Sequence, residues 1–153
     1  MGEGGVDAEL RAHDAQAVGA EQADAVAVGG LDHLALEQRT ASSDEMIEMY
    51  GGWLDRYPIC SIEDPLAEDD IDGMRRFTQA FGRRVQVVGD DFLVTNAAFI
   101  EAAALQGACN AALIKPNQAG TLSETCDALR TAQRMRWGAI VSARSGETED
   151  TTI

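Results

Sequence analysis

A chain of 153 residues, 45% hydrophobic and 25% charged, has the composition of an ordinary globular protein and room for one domain. Its net charge of −14 argues against nucleic acid as a partner, because phosphates demand clustered Lys and Arg. The same charge means that an anionic ligand is held only where local cations overcome the global field, which points to metal ions with a few placed basic residues.

Residues 1–30 are rich in Ala, Gly, Val and Asp and carry few large apolar side chains. The segment reads mostly as weak helix or disorder, with Val26-Ala-Val28 as a candidate short strand. Ser42 opens a helix. It forms a capping-box pair with Glu45, and Met46, Met49, Tyr50, Trp53 and Leu54 recur behind it at helical spacing, as a core-packing stripe does. The tandem Gly51-Gly52 weakens that helix by about 1 kcal/mol per glycine.

Pro58-Ile-Cys-Ser-Ile62 is the first strong strand and ends at Glu63. The acidic run Glu68-Asp69-Asp70 then suits the first turn of a helix, where it complements the macrodipole. That helix presents Met74, Phe77 and Phe81 and stops at Gly82, before Arg83-Arg84 on the bottom face. Val85-Gln-Val-Val88 is the second strand, ending at Asp90. Asn96 caps the following helix, which carries Phe99, Ile100 and Ala103 and ends at Gly107. Ala111-Ala-Leu-Ile114 is the third strand, ending at Lys115, and Pro116 holds Lys115 in extended geometry. A helix is expected from about Thr121 through Leu122, Cys126 and Leu129 to Trp137, with Gly138 as its terminator. Ala139-Ile-Val-Ser142 is the fourth strand, ending at Arg144.

From Glu63 to Asp90, Asp90 to Lys115 and Lys115 to Arg144 the intervals are 27, 25 and 29 residues. A near-constant period of that size, with strands too apolar to have a wet face, marks stacked βα units around a parallel sheet. In (β/α) barrels the active site sits at the C-terminal ends of the strands. Two carboxylates, an amine and a guanidinium at four successive strand ends therefore read as a site. Glu63 and Asp90 suit magnesium, a hard cation that prefers oxygen ligands; the bland alternative is that each caps the next helix. Asp64 and Asp91 lie one residue further on, where side-chain direction alternates, and read as orienters or loop anchors. On the residues alone, Lys115 is equally a counter-ion for the carboxylates or a base. Cys60, Cys109 and Cys126 have no metal-ligand spacing and read as reduced, partly buried thiols. No apolar run approaches the ~20 residues that span a bilayer, and no signal peptide is evident, so the expected location is cytoplasmic.

Ser61-Ile-Glu-Asp-Pro65, Gly89-Asp-Asp91 with Val94-Thr-Asn96, Ile114-Lys115 with Asn117-Gln118 and Gly120-Thr121, and Arg144-Ser-Gly-Glu-Thr-Glu-Asp150 resemble the motifs of enolase (phosphopyruvate hydratase). The resemblance is dense from about Ser42 to Ile153 and holds without gaps, over the middle-to-late part of the family's C-terminal barrel. It implies an α/β fold, an incomplete (β/α)8 TIM-type barrel, with residues 41–153 as four βα units and residues 1–40 as a poorly matching segment. A complete barrel needs roughly 250 residues, so the chain is expected to be a truncated part of one, whose next helix would start near Ile153. The activity implied is the magnesium-dependent, reversible dehydration of 2-phosphoglycerate to phosphoenolpyruvate in glycolysis.

The matching residues are then Lys115 as the general base that removes the α-proton and contacts the substrate, Glu63 and Asp90 as the metal pair with Glu63 also at the substrate, and Arg144 with Ser145 as the clamp on the phosphate. A base at Lys115 has a physical logic. The enolate it leaves needs divalent cations for stabilisation, and nearby metal favours a neutral amine. Guanidinium suits bidentate phosphate contacts. The family's first metal-binding Asp would fall among residues 1–30, where Asp14 and Asp24 are candidates by spacing. Its small N-terminal domain, the acids that protonate the leaving hydroxyl and a late lysine find no counterpart in this sequence. Ala143 stands where many enolases carry a His before the Arg-Ser pair, which motivates a related lyase acting on another carboxylate as a second reading. A non-catalytic remnant is a third. For the full-length family a homodimer or larger assembly is expected, with a small phosphorylated acid as ligand.

Overall fold

A computed structural model describes residues 31–34 and 39–142 of the chain. Val26-Ala-Val28, Asp14, Asp24, Ala143, Arg144 and Ser145 lie outside the described residues. The chain begins with an antiparallel hairpin of β1 (Leu31–Leu34) and β2 (Arg39–Ser42), paired from Leu31↔Ser42 to Leu34↔Arg39. This hairpin is not expected from the sequence, since two four-residue strands are too short to show a clear alternation.

The order thereafter is α1 (Ser43–Leu54), β3 (Ser61–Glu63), α2 (Ile71–Phe81), β4 (Gln86–Gly89), α3 (Ala97–Gln106), β5 (Ala111–Ile114), the single turn α4 (Pro116–Ala119), α5 (Leu122–Arg134) and β6 (Gly138–Val141). Strands β3-β4-β5-β6 lie side by side in chain order and every pair is parallel. This is the stacked βα architecture that the period of the charged strand ends predicts. Among the described residues no helix is long and apolar enough to cross a membrane.

Local signals set most helix boundaries. Ser42 accepts from the Glu45 amide while the Glu45 carboxylate accepts from the Ser42 amide, a closed capping box. In the acidic run before α2 it is the third residue that caps: Asp70 accepts from the Gly73 amide at 2.8 Å, and the Ser43 hydroxyl donates to the same carboxylate. Asn96 accepts from the amides of Ala98 and Phe99, and α3 ends on Gly107 at φ 72°, in the left-handed region.

Several boundaries differ from expectation, the second strand among them, which runs Gln86–Gly89 rather than Val85–Val88. The first strand is Ser61–Glu63, not Pro58–Ile62, because Pro58 offers no donor and Ile59 bonds back to Tyr57; the ladder to β4 starts only where Gln86 donates to the Cys60 carbonyl. The last helix stops at Arg134 with Met135 as its cap, and Arg136 turns the chain at φ 60°. Gly138 is not its terminator but the first residue of β6, where an added Cβ would meet Gln86 Nε2 at 2.4 Å. β6 accordingly covers Gly138–Val141 rather than starting at Ala139.

The pleat divides the sheet. Val87, Ala112 and Ile114 belong to the main core, with Met74 and Phe77 from α2, Ile100 and Ala103 from α3, and Ala128 and Ala132 from α5. The residues one position away, Val88, Ala111 and Leu113, form a separate buried cluster on the opposite face. From α1 the stripe Met46, Met49, Tyr50 and Leu54 joins the main core, while Trp53 stays more than a third exposed at its edge. Trp53, Tyr50, Phe77 and Phe81 form a chain of edge-to-face aromatic contacts with ring centroids 5.1 to 5.3 Å apart. Of the three free cysteines only Cys109 is buried; Cys60 and Cys126 are exposed.

Candidate active site

The parallel register fixes which strand-end side chains share a face. Glu63 pairs with Val88, Val88 with Ala111, and Ala111 lies two residues before Leu113. Glu63, Val88, Ala111 and Leu113 therefore lie on the face away from the helices. Continuing the two-residue period past each strand end brings Asp90 and Lys115 to that same face. The structure agrees: Lys115 Nζ makes an ion pair with Asp90 Oδ2, across side chains only 16% and 8% exposed. Lys115 sits at φ −121°, ψ 107°, the extended geometry expected before Pro116.

Glu63 belongs to the same electrostatic unit. Its carboxyl is raised above the ordinary carboxylate range, first by desolvation at the strand end, then by the charges of Asp90 and Asp64; Lys115 opposes the rise. A protonated Glu63 would also hydrogen-bond Asp90. Acid, acid and amine thus meet at the carboxyl ends of three neighbouring strands. Arg144 and Ser145 are outside the described residues, and so are both candidates for a further Asp.

The loop after β4 is built to hold Asp90. The Asp90 carbonyl accepts from Leu93 and Val94, and Leu93 folds back, fully buried, over Gly89. A Cβ on Gly89 would stand 2.6 Å from Leu93 Cγ and Cδ1, so the glycine before the acid is required by close approach. Asp64, itself at φ 38°, accepts from the Asp90 amide at 2.9 Å and the Asp91 amide at 2.7 Å. Burial is the main reason that Asp64 is pushed up to about 6, against the pull of those two amides.

Among the described residues, distance alone brings together Asp64, Asp90 and Asp91, with one oxygen of each within 4.8 Å of the others. Both oxygens of Asp64 are already occupied by backbone amides, however, and Asp91 is exposed. Asp64 therefore fits the loop-anchor role better than that of a ligand.

A divalent cation suits what remains. Asp90 Oδ1 is buried and accepts no hydrogen bond, while Oδ2 is taken by Lys115. An unpaired carboxylate oxygen away from water is costly unless a cation meets it. The carboxyl of Glu63 beside it is raised first by desolvation and then by the charges of Asp90 and Asp64.

Thr95 is a residue that motif spacing did not single out for a role. It is buried, at φ 51° in the left-handed region, and its hydroxyl accepts from the Lys115 amide at 3.0 Å. A signal was available: a β-branched polar residue following Val94, between the acidic turn and the helix cap, with no apolar periodicity to explain it.

The family model described as "Enolase, C-terminal TIM barrel domain" matches residues 26–153. Among curated relatives, Enolase 1 of Methylococcus capsulatus is 52% identical over 114 residues, covering 74% of this chain and 27% of the relative. Enolase 2 of Pseudomonas syringae pv. syringae is 48% identical over 124 residues, covering 81% of this chain and 29% of the relative. The chain spans less than a third of the length of either relative.

Proposed function

The chain belongs to the enolase family, within its C-terminal TIM barrel domain, and from that premise we propose that it carries the cation-binding and proton-abstracting part of a phosphopyruvate hydratase site. The reaction is the reversible dehydration of 2-phosphoglycerate to phosphoenolpyruvate, a cytoplasmic step of glycolysis. One observation carries the reading. Lys115 and Asp90 are paired beside Glu63 on one face of three parallel strands, and a buried Asp90 oxygen is left without a donor.

In this reading Glu63 and Asp90 would hold magnesium. A bound dication supplies positive charge that acidifies the α-proton of a carboxylate substrate and offsets the charge left when the proton departs. Lys115 takes that proton at Nζ as the neutral amine, having given up the proton it shares with Asp90 in the resting ion pair. Asp90 holds the amine over the strand ends, so the acceptor is in place before substrate arrives. Asp64 keeps the Asp90 backbone fixed through its two amide contacts. Arg144 and Ser145 are assigned the phosphate, which guanidinium contacts in a bidentate manner.

The test is exchange of the 2-phosphoglycerate α-proton with solvent deuterium, followed by NMR in protein containing this chain, together with phosphoenolpyruvate formation. Exchange is expected to need magnesium, to vanish in Lys115→Met and to weaken in Glu63→Gln and Asp90→Asn. Exchange that survives without magnesium or without Lys115 sinks the assignment. Ala143 favours a second reading, a lyase acting on a carboxylate other than 2-phosphoglycerate. Magnesium binding with no turnover of 2-phosphoglycerate, and turnover of another α-hydrogen carboxylate, would select it.

A further inference from the structure

We propose that Thr95 is a positioning residue for Lys115, acting as the hydrogen-bond acceptor that replaces the departing strand β4. The pairing of β4 with β5 ends at Gly89↔Ala112, because the chain turns away at Asp90. The edge of β5 facing that turn continues to Lys115 with no β4 carbonyl left to receive its amide. On the other edge the ladder persists, since Ser142 donates to the Ile114 carbonyl at 3.0 Å. The Thr95 hydroxyl fills the gap, accepting from the Lys115 amide at 3.0 Å.

The hydroxyl is itself oriented. Its hydrogen goes to Gln118 Oε1 at 2.7 Å, a far better partner than the Leu113 carbonyl at 3.4 Å. Gln118 is tied in turn to the residue being held, because its amide donates to the Lys115 carbonyl at 3.0 Å. Lys115 is thus gripped at its amide by Thr95, at its carbonyl through α4 and at its amine by Asp90.

Two of those grips come from one loop. Asp90 begins it and Thr95 lies near its end, so their separation sets where Nζ stands relative to the backbone it hangs from. The loop holds this shape against backbone preference, with Val94 at φ 44° and Thr95 at φ 51°. Left-handed geometry at consecutive β-branched residues is uncommon and costly, and persists where the surroundings over-determine it. Buried Thr95 is over-determined by the three partners of its hydroxyl.

This inference rests on the reading of Lys115 as the base, and the test separates the two. Thr95→Val removes the hydroxyl at constant volume, and Thr95→Ser keeps it. Amide hydrogen exchange measured on the chain itself should rise at least tenfold at Lys115 in Thr95→Val and stay within twofold at Val87, whose amide donates to Asn110. In protein that exchanges the α-proton of 2-phosphoglycerate, Thr95→Val should lower kcat by ten- to a hundredfold with KM within twofold, as expected for a misplaced reacting group. Thr95→Ser should restore both. A purely structural role would instead lower the folded fraction and leave kcat per folded molecule unchanged. Should Thr95→Val fail to fold, Thr95→Ala deletes the same hydroxyl without branching and takes its place. Unchanged Lys115 amide exchange, or unchanged kcat while Lys115→Met abolishes it, overturns the role of Thr95 alone. Activity that survives Lys115→Met overturns the base assignment instead.

Discussion

Replacing Lys115 with methionine tests how the site balances charge. Asp90 is 8% exposed at its side chain, and its Oδ1 already lacks a partner. Removing the amine strips Oδ2 as well and strands a buried carboxylate. Breaking one half of a buried ion pair typically costs about 3–5 kcal/mol. Lys115→Met should therefore lose about 3–4 kcal/mol of unfolding free energy in chelator. Saturating magnesium supplies the lost positive charge and should recover more than half of that deficit. Urea denaturation followed by tryptophan fluorescence, with chelator and with magnesium, gives both numbers. A deficit under about 1 kcal/mol, or one indifferent to magnesium, would refute the idea that this pair is the charge-balancing centre of the fold.

Gly89→Ala should destabilise by about 1–3 kcal/mol through overpacking against Leu93, and Leu93→Ala in the same chain should relieve part of that penalty, seen in thermal melts of the three variants. Asp64 is held at about 6 in the fold against an ordinary 3.8, so its favourable contribution is complete below that ordinary value and is lost as pH rises through about 6. In chelator, Asp64→Asn should consequently gain stability relative to the parent between pH 4 and 7, and a difference that stays flat over that interval contradicts the burial argument. Asn96→Ala removes the acceptor for two amides at the start of α3 and should cost about 1 kcal/mol in denaturant titrations, with no change in cation affinity by calorimetry.

What the sequence made legible was local. The capping box at Ser42 and Glu45, the Asn96 cap and the Gly107 stop each depend on residues a few positions apart and each survives in the structure, and the parallel strand order agrees with the longer period of the charged strand ends. The face shared by Glu63, Asp90 and Lys115 follows from a period of two once the strands are placed. Less legible were features set by tertiary context. Gly138 looks like a helix stop in isolation, yet it opens β6, beside the movable end of the Gln86 side chain. Pro58 looks like a strand start, yet the ladder waits for Ser61. Thr95 carries a local signal in the sequence, but its partner is set by tertiary context, because its bond to the Lys115 amide forms where β4 leaves β5.

The two faces of the central strands imply different tolerances to mutation over evolutionary time. At Val87, Ala112 and Ile114 the neighbours are helices, so aliphatic exchanges of similar volume drift almost freely and alter only stability. At Val88, Ala111 and Leu113 the same exchanges shift the floor beneath the charged strand ends, so on the proposed function selection reaches them although none bears a reactive group. Along a single strand, then, every second position is answerable to the fold and the ones between to the proposed site.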